Sequence, residues 1–79
     1  MRSLNLPRAV GVRTDPSGEP LAVQGRRAPV GVEGIRERWR IDDEWWRVPI
    51  SRLYYDLVLE GGRAVTLYRD LCTGRWYLQ

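Results

Sequence analysis

Leu53-Tyr54-Tyr55-Asp56-Leu57-Val58-Leu59-Glu60-Gly61-Gly62-Arg63-Ala64-Val65-Thr66-Leu67 is the stretch whose reading decides the fold. Leu53, Tyr55, Leu57 and Leu59 recur at every second position, the period of a half-buried strand, and Val65 and Leu67 resume the pattern after two glycines. A two-residue loop at Gly61-Gly62 sets Leu57 opposite Thr66. A three-residue loop of Glu60-Gly61-Gly62, with Gly62 left-handed, sets Leu57 opposite Val65 and Tyr55 opposite Leu67. Only the second register matches apolar with apolar, so it is the one expected.

Working outward, Leu71-Cys72-Thr73-Gly74 reads as a turn that returns the chain antiparallel as Arg75-Trp76-Tyr77-Leu78. On the N-terminal side, Val10 and Val12 alternate before Asp15-Pro16-Ser17-Gly18, and Leu21 and Val23 alternate after it, which makes a first hairpin. A third strand runs from about Ala28 to Ile41. Val30 and Val32 share one parity in it, whereas Ile35, Trp39 and Ile41 share the other, and a bulge near Gly34 reconciles the two. Asp42-Asp43-Glu44 offers a helix N-cap with following acids, so at most one short helical turn is expected near residues 42–46. Pro49 makes residues 47–51 a connection or an edge. The expected fold is all-β: a small antiparallel meander of five to six strands curled into a half-open barrel. Residues 1–7 read as a loose tail and residues 8–79 as one small β domain.

Composition restricts what such a domain does. Seventy-nine residues bury only about 60–65% of the surface their unfolded chain exposes, so large rings must supply much of the core. All 13 basic residues are arginine, with no lysine or histidine, against 10 acids. The net charge of +3 is a modest bias, well short of a dedicated DNA binder. Residues 42–60 are acidic and follow a basic arm. A single cysteine, Cys72, makes no internal disulfide, and Met1-Arg2-Ser3-Leu4-Asn5-Leu6-Pro7 lacks the apolar run of a signal peptide; a reducing cytoplasm is the natural setting. No stretch approaches the roughly 20 apolar residues that span a bilayer.

Catalytic ingredients are scarce. Without histidine there is no Ser-His or Cys-His pair, and Cys72 beside Asp70 and Thr73 has no evident group to lower its pKa; it reads as a small turn or core residue. Asp42, Asp43 and Glu44 lack the spaced ligands and central glycine of a calcium loop and read as a solvated acidic turn, with no metal. Gly61-Gly62 is a hairpin turn and not a phosphate cradle, since neither helix nor lysine follows. The expectation is a protein that is not an enzyme and needs no cofactor.

Binding is the better-supported class. Adjacent Trp45 and Trp46 cannot both face one core, so one ring packs inside and the other lies against a second surface. Trp39, Trp45 and Trp76 are assigned to the core. Trp46, Arg47, Tyr54 and Tyr68 are the candidate anchors for a protein partner, because aromatic and arginine side chains dominate interface hot spots. The alternative is a single-stranded nucleic-acid binder using Arg36, Arg38, Arg40 and Trp46, with arginines on phosphates and rings under bases. Arg36, Arg38 and Arg40 equally read as a solvated strand face. A half-open barrel also leaves an edge through which two copies can pair as a homodimer.

Gly18-Glu19-Pro20-Leu21, Trp45-Trp46-Arg47, Arg52-Leu53-Tyr54-Tyr55, Leu59-Glu60-Gly61-Gly62-Arg63, Leu67-Tyr68-Arg69-Asp70 and Gly74-Arg75-Trp76-Tyr77-Leu78, taken in order, resemble the C-terminal region of ImuB-type proteins. These are Y-family DNA polymerase homologues that have lost catalytic acids and act in bacterial damage-induced mutagenesis. The resemblance runs from about Pro7 onward. It implies a non-enzymatic role in DNA damage tolerance, recruiting partners of the translesion complex such as an error-prone replicative polymerase. The chain departs from the family in having no polymerase-like part and in stopping at Gln79, before the few further apolar residues usual there, which points to a free-standing relative. Leu4-Asn5-Leu6-Pro7 loosely matches the Leu-x-Leu core of the family's sliding-clamp peptide, with Ser3 in place of its glutamine.

Overall fold

A computed structural model describes residues 6–45 and 47–79, and it contains no helix among them. Strands β1 (Arg8–Val10), β2 (Val12–Thr14), β3 (Pro20–Val23), β4 (Val30–Trp45), β5 (Val48–Leu59), β6 (Arg63–Asp70) and β7 (Trp76–Leu78) form one antiparallel sheet ordered β1-β7-β6-β5-β4-β3-β2. β1 and β2 are consecutive yet lie at opposite ends of that order. The chain itself therefore bridges the sheet's two edges at Gly11, whose carbonyl accepts the Gln24 N–H at 2.8 Å. This produces a nearly closed barrel and removes most of the edge that an open sheet would expose. Seven strands stand where five to six were expected because Val10 and Val12 belong to different strands.

The central hairpin has the expected register. Leu57 pairs with Val65 and Tyr55 with Leu67, across a loop in which Gly61 and Gly62 hold φ of 93° and 88°. A side chain at either glycine would be strained there. Leu57 and Leu67 are fully buried, and Val23, Tyr55, Leu59 and Trp76 complete the core inside the barrel.

β4 departs from its partner's period twice. A first bulge, between Val32 and Gly34, brings Ile35 onto the inner face opposite Leu57. A second, between Ile35 and Glu37, reverses the parity again, so that Trp39 pairs with Tyr54 on the outer face and Arg38 with Tyr55 on the inner one. Trp39 is thus excluded from the core to which its parity with Ile35 had assigned it.

The short helical turn expected near residues 42–46 is absent from the described residues. Asp42, Asp43 and Glu44 continue β4 and pair with Ser51, Ile50 and Pro49. Cross-strand pairing satisfies the backbone that a cap would have served, and the Asp42 carboxylate accepts from Ser51 Oγ at 2.7 Å and from Arg40 Nε at 2.7 Å. Pro49 sits on an edge, because β6 pairs with β5 only from Arg52 onward. β4 and β5 therefore run past the barrel as a two-stranded arm. The Cα radius of gyration of 13.2 Å exceeds the roughly 12 Å of a compact chain this long, as such an arm requires.

The Asp15 turn carries a pH signature. Its carboxylate accepts from Ser17 Oγ at 2.7 Å and from the Ser17 and Glu19 amides at 2.9 Å, and these bonds, Ser17 Oγ foremost, hold its pKa below the ordinary value. Glu19 is lowered by its bidentate bond with Arg38 on β4, and Asp42 by Arg40 and then Ser51. A carboxylate with a depressed folded pKa adds stability above its unfolded pKa and loses it as pH falls through the folded one. Melting temperature is expected to hold level from about pH 6 to about pH 5 and to fall below about pH 4, with Asp15→Asn and Glu19→Gln each flattening that acid limb. Circular dichroism melts across this range check it, and an unchanged acid limb in both variants would refute the assignment.

Candidate functional site

Four residues directly opposite one another across β4 to β7, namely Trp39, Tyr54, Tyr68 and Tyr77, form a row of rings on the outer face of the barrel, stacked at its two ends and tilted between Tyr54 and Tyr68. Ring centroids lie 5.2 Å apart for Trp39–Tyr54, 5.1 Å for Tyr54–Tyr68 and 5.1 Å for Tyr68–Tyr77. Cross-strand aromatic pairs of this kind stabilise a sheet. Arg52, on the same face, places its guanidinium 4.6 Å from the Tyr68 centroid and donates from Nη1 to the Tyr54 hydroxyl at 3.3 Å. The Tyr54 hydrogen bond raises the Arg52 pKa, and burial raises that of the Tyr68 phenol. The Tyr68 phenol thus stays neutral beside the Arg52 cation at physiological pH.

The sequence of this region dictates the ladder once register is known: Tyr55 opposite Leu67 inside requires Tyr54 opposite Tyr68 outside. Tyr54 and Tyr68, expected at the surface as anchors, are only 8% and 4% exposed. Their neighbours in the ladder and Arg52 cover them, so they support the face from within. Tyr77 completes the row, and nothing in the sequence alone singles it out, because only the β6–β7 register sets it opposite Tyr68.

Beyond the ladder the arm is amphipathic. Trp39, Ile41, Val48 and Ile50 lie on the ladder's side of the β4–β5 ribbon with Asp43 and Arg52 among them, and Arg40, Asp42, Glu44, Pro49 and Ser51 lie on the other. Trp39, Ile41 and Val48 are 38%, 41% and 60% exposed. The apolar side of the arm thus faces away from the barrel interior and extends the ladder into solvent. Arg47, in the connection between the two strands, is exposed and adopts φ of 70°. A non-glycine residue in this left-handed region costs about 1 kcal/mol. The expectation for Trp46 lies outside the described residues, as does the Leu4-Asn5 part of the clamp-like peptide; Leu6 is exposed.

The arginine-aromatic interleaving of β4 does not form one face. Arg38 and Arg40 have the parity opposite to Trp39 and Ile41, while Arg36 sits in the second bulge. Arg38 is bound to Glu19, and Arg40 to Asp42. In the ladder itself, centroid spacings near 5 Å leave no room for a base to enter between rings. The site's chemistry is that of an apolar strip on a rigid aromatic base. Cys72 is exposed in the turn before β7. No helix among the described residues is long and apolar enough to cross a membrane. Compared with known proteins, the chain matches no family model, no curated protein and no solved structure.

Proposed function

We propose that the domain is a non-enzymatic protein-interaction module whose docking face is the outer side of the β4–β5 arm. The observation that carries this reading is the double bulge in β4. It turns Trp39 and Ile41 out of the core and sets them beside Val48 of β5 in one exposed strip. Exposed apolar strips on a rigid support are typical of protein contacts, and the strained Arg47 at the arm's end is the kind of outlier that accompanies functional sites. Arg52 at the base supplies a polar contact at the rim. Placement in DNA damage tolerance, with an error-prone replicative polymerase or its accessory proteins as partner, rests on the resemblance to ImuB-type tails. The single-stranded nucleic-acid reading is weaker, since two of its three arginines are paired with acids on the side away from Trp39.

Surface-immobilised domain titrated with the cell's mutagenic polymerase tests the reading. Ile41→Ser and Val48→Ser are each expected to weaken the complex at least tenfold, about 1.4 kcal/mol, while unfolding free energy changes by less than about 1 kcal/mol. Retention of full affinity in both variants would remove the arm from the interface. A labelled oligonucleotide titrated at low and near-physiological salt is expected to show no saturable binding; binding with a steep salt slope would put the nucleic-acid reading first. Light scattering distinguishes a second copy of the chain as the occupant of the strip.

A further inference from the structure

The barrel end opposite the arm is open and differently built. A cavity of about 610 Å³ enters it, within the roughly 300–1,000 Å³ range of small-molecule sites. Its apolar lining includes Val10, Val23, Val30, Leu59, Val65 and Leu78, which are core residues or pack against the core. Three arginines from different elements line it as well: Arg8 on β1, Arg26 in the loop after β3 and Arg63 at the start of β6. All three are exposed, and no acidic side chain lines this cavity among the described residues. Glu60, on the adjoining turn, is directed to the Gly31 amide, which donates to its Oε1 at 3.1 Å. Asp56 lines only the neighbouring groove.

The geometry points to a binding site for a single-chain carboxylate amphiphile at this mouth, its hydrocarbon against Val23, Leu59, Val65 and Leu78 and its carboxylate held by Arg8, Arg26 and Arg63. Apolar surface below and three cations above match a ligand that is apolar along its length and anionic at one end. Guanidinium groups suit the head because their donors meet a carboxylate two at a time. The loop that carries Arg26 is tightly folded: a Cβ on Gly25 would lie 2.4 Å from the Ala28 carbonyl oxygen, so only glycine lets the loop close here. The mouth and the arm lie at opposite ends of the barrel, and the site stands or falls independently of the docking face.

Titration calorimetry with sodium decanoate below its micelle concentration, with decanol as the neutral control, tests the site. Decanoate is expected to saturate one site with a Kd at least tenfold below that of decanol. In Arg8→Gln/Arg63→Gln that preference should disappear, whereas Arg36→Gln, on β4, should retain it. Methyl NMR spectra should place the shift changes at Val23, Val65 and Leu78 and not at Ile41 or Ile50. Equal affinity for decanol and decanoate, shift changes confined to the arm, or no saturation by about 1 mM would each overturn the proposal. So would binding to anionic phospholipid vesicles without binding to free decanoate, since that would make the arginines a surface contact for headgroups.

Discussion

Trp76→Ala is expected to destabilise the domain by roughly 3–5 kcal/mol, the largest effect of any single replacement considered, and to lower its melting temperature by about 20 °C. Trp76 is the largest side chain in the barrel core and only 8% exposed. Its ring lies 5.5 Å from that of Tyr55, and the Arg69 guanidinium sits 5.8 Å from its centroid. Removing it opens a cavity that the surrounding strands cannot collapse to fill, because the nearly closed barrel fixes their separation. It also takes the apolar cover from Arg69, whose Nε is buried without a hydrogen-bond partner. A domain of this size has a total stability of roughly 4–12 kcal/mol, so the alanine variant sits close to the limit of folding. Trp76→Phe keeps a ring at the site and is expected to cost about 1–2 kcal/mol, giving a graded measurement by urea denaturation. Losses below about 1 kcal/mol in both variants would show that the barrel core does not depend on this ring.

How far the fold was legible in the sequence depended on which force decided each element. The β5–β6 register was legible because burial selects it: a slip of one residue would turn Leu57 and Leu67 out of the core. The Asp15 turn was legible from local chemistry, proline presetting φ and the Asp15 carboxylate accepting from amides two and four residues on. Asp42-Asp43-Glu44 misled because capping preference is a local signal, whereas these residues are held by pairing with Ser51, Ile50 and Pro49 across the hairpin. Likewise, Val10 and Val12 keep a single alternating period while their partners change from β7 to β3, so no sequence signal marks Gly11 as the crossing between sheet edges.

The candidate site was hidden for one specific reason. The parity change between Val32 and Ile35 implies one bulge, but the second bulge at Arg36 has no glycine to announce it. With one bulge, Trp39 and Ile41 point into the core; with two, they form the exposed strip. Tyr54 and Tyr68 are legible as candidate anchors alongside Trp46 and Arg47, yet their role changes once the register is in hand: with Arg52 over them they hold the strip up and are largely shielded from contact themselves.

Tyr68→Ala tests that supporting role and carries the second-largest expected effect. Tyr68 stacks on Tyr77, packs at a tilt against Tyr54 and lies beneath Arg52, so its loss breaks two ring pairs and one cation–π contact in the middle of the row. Aromatic pairs add about 0.5–1.5 kcal/mol each beyond area burial, which with the lost burial sums to roughly 3–4 kcal/mol. Tyr68→Leu retains apolar cover but no ring, and should cost about half as much. The ladder also joins the barrel to the arm, since Trp39 and Tyr54 stand at the arm's base while Tyr68 and Tyr77 stand on the barrel. Breaking it at Tyr68 should free the arm to move relative to the barrel, raising amide hydrogen exchange along residues 39–43 and 50–54 before the core exchanges. A partner bound to Ile41 and Val48 would then have to order the arm on binding, so Tyr68→Leu should weaken the complex even though the Tyr68 ring itself is shielded. If Tyr68→Leu lost stability but left arm exchange and partner affinity unchanged, the ladder would be a second core with no bearing on docking, and the strip would stand on the β4–β5 pairing alone.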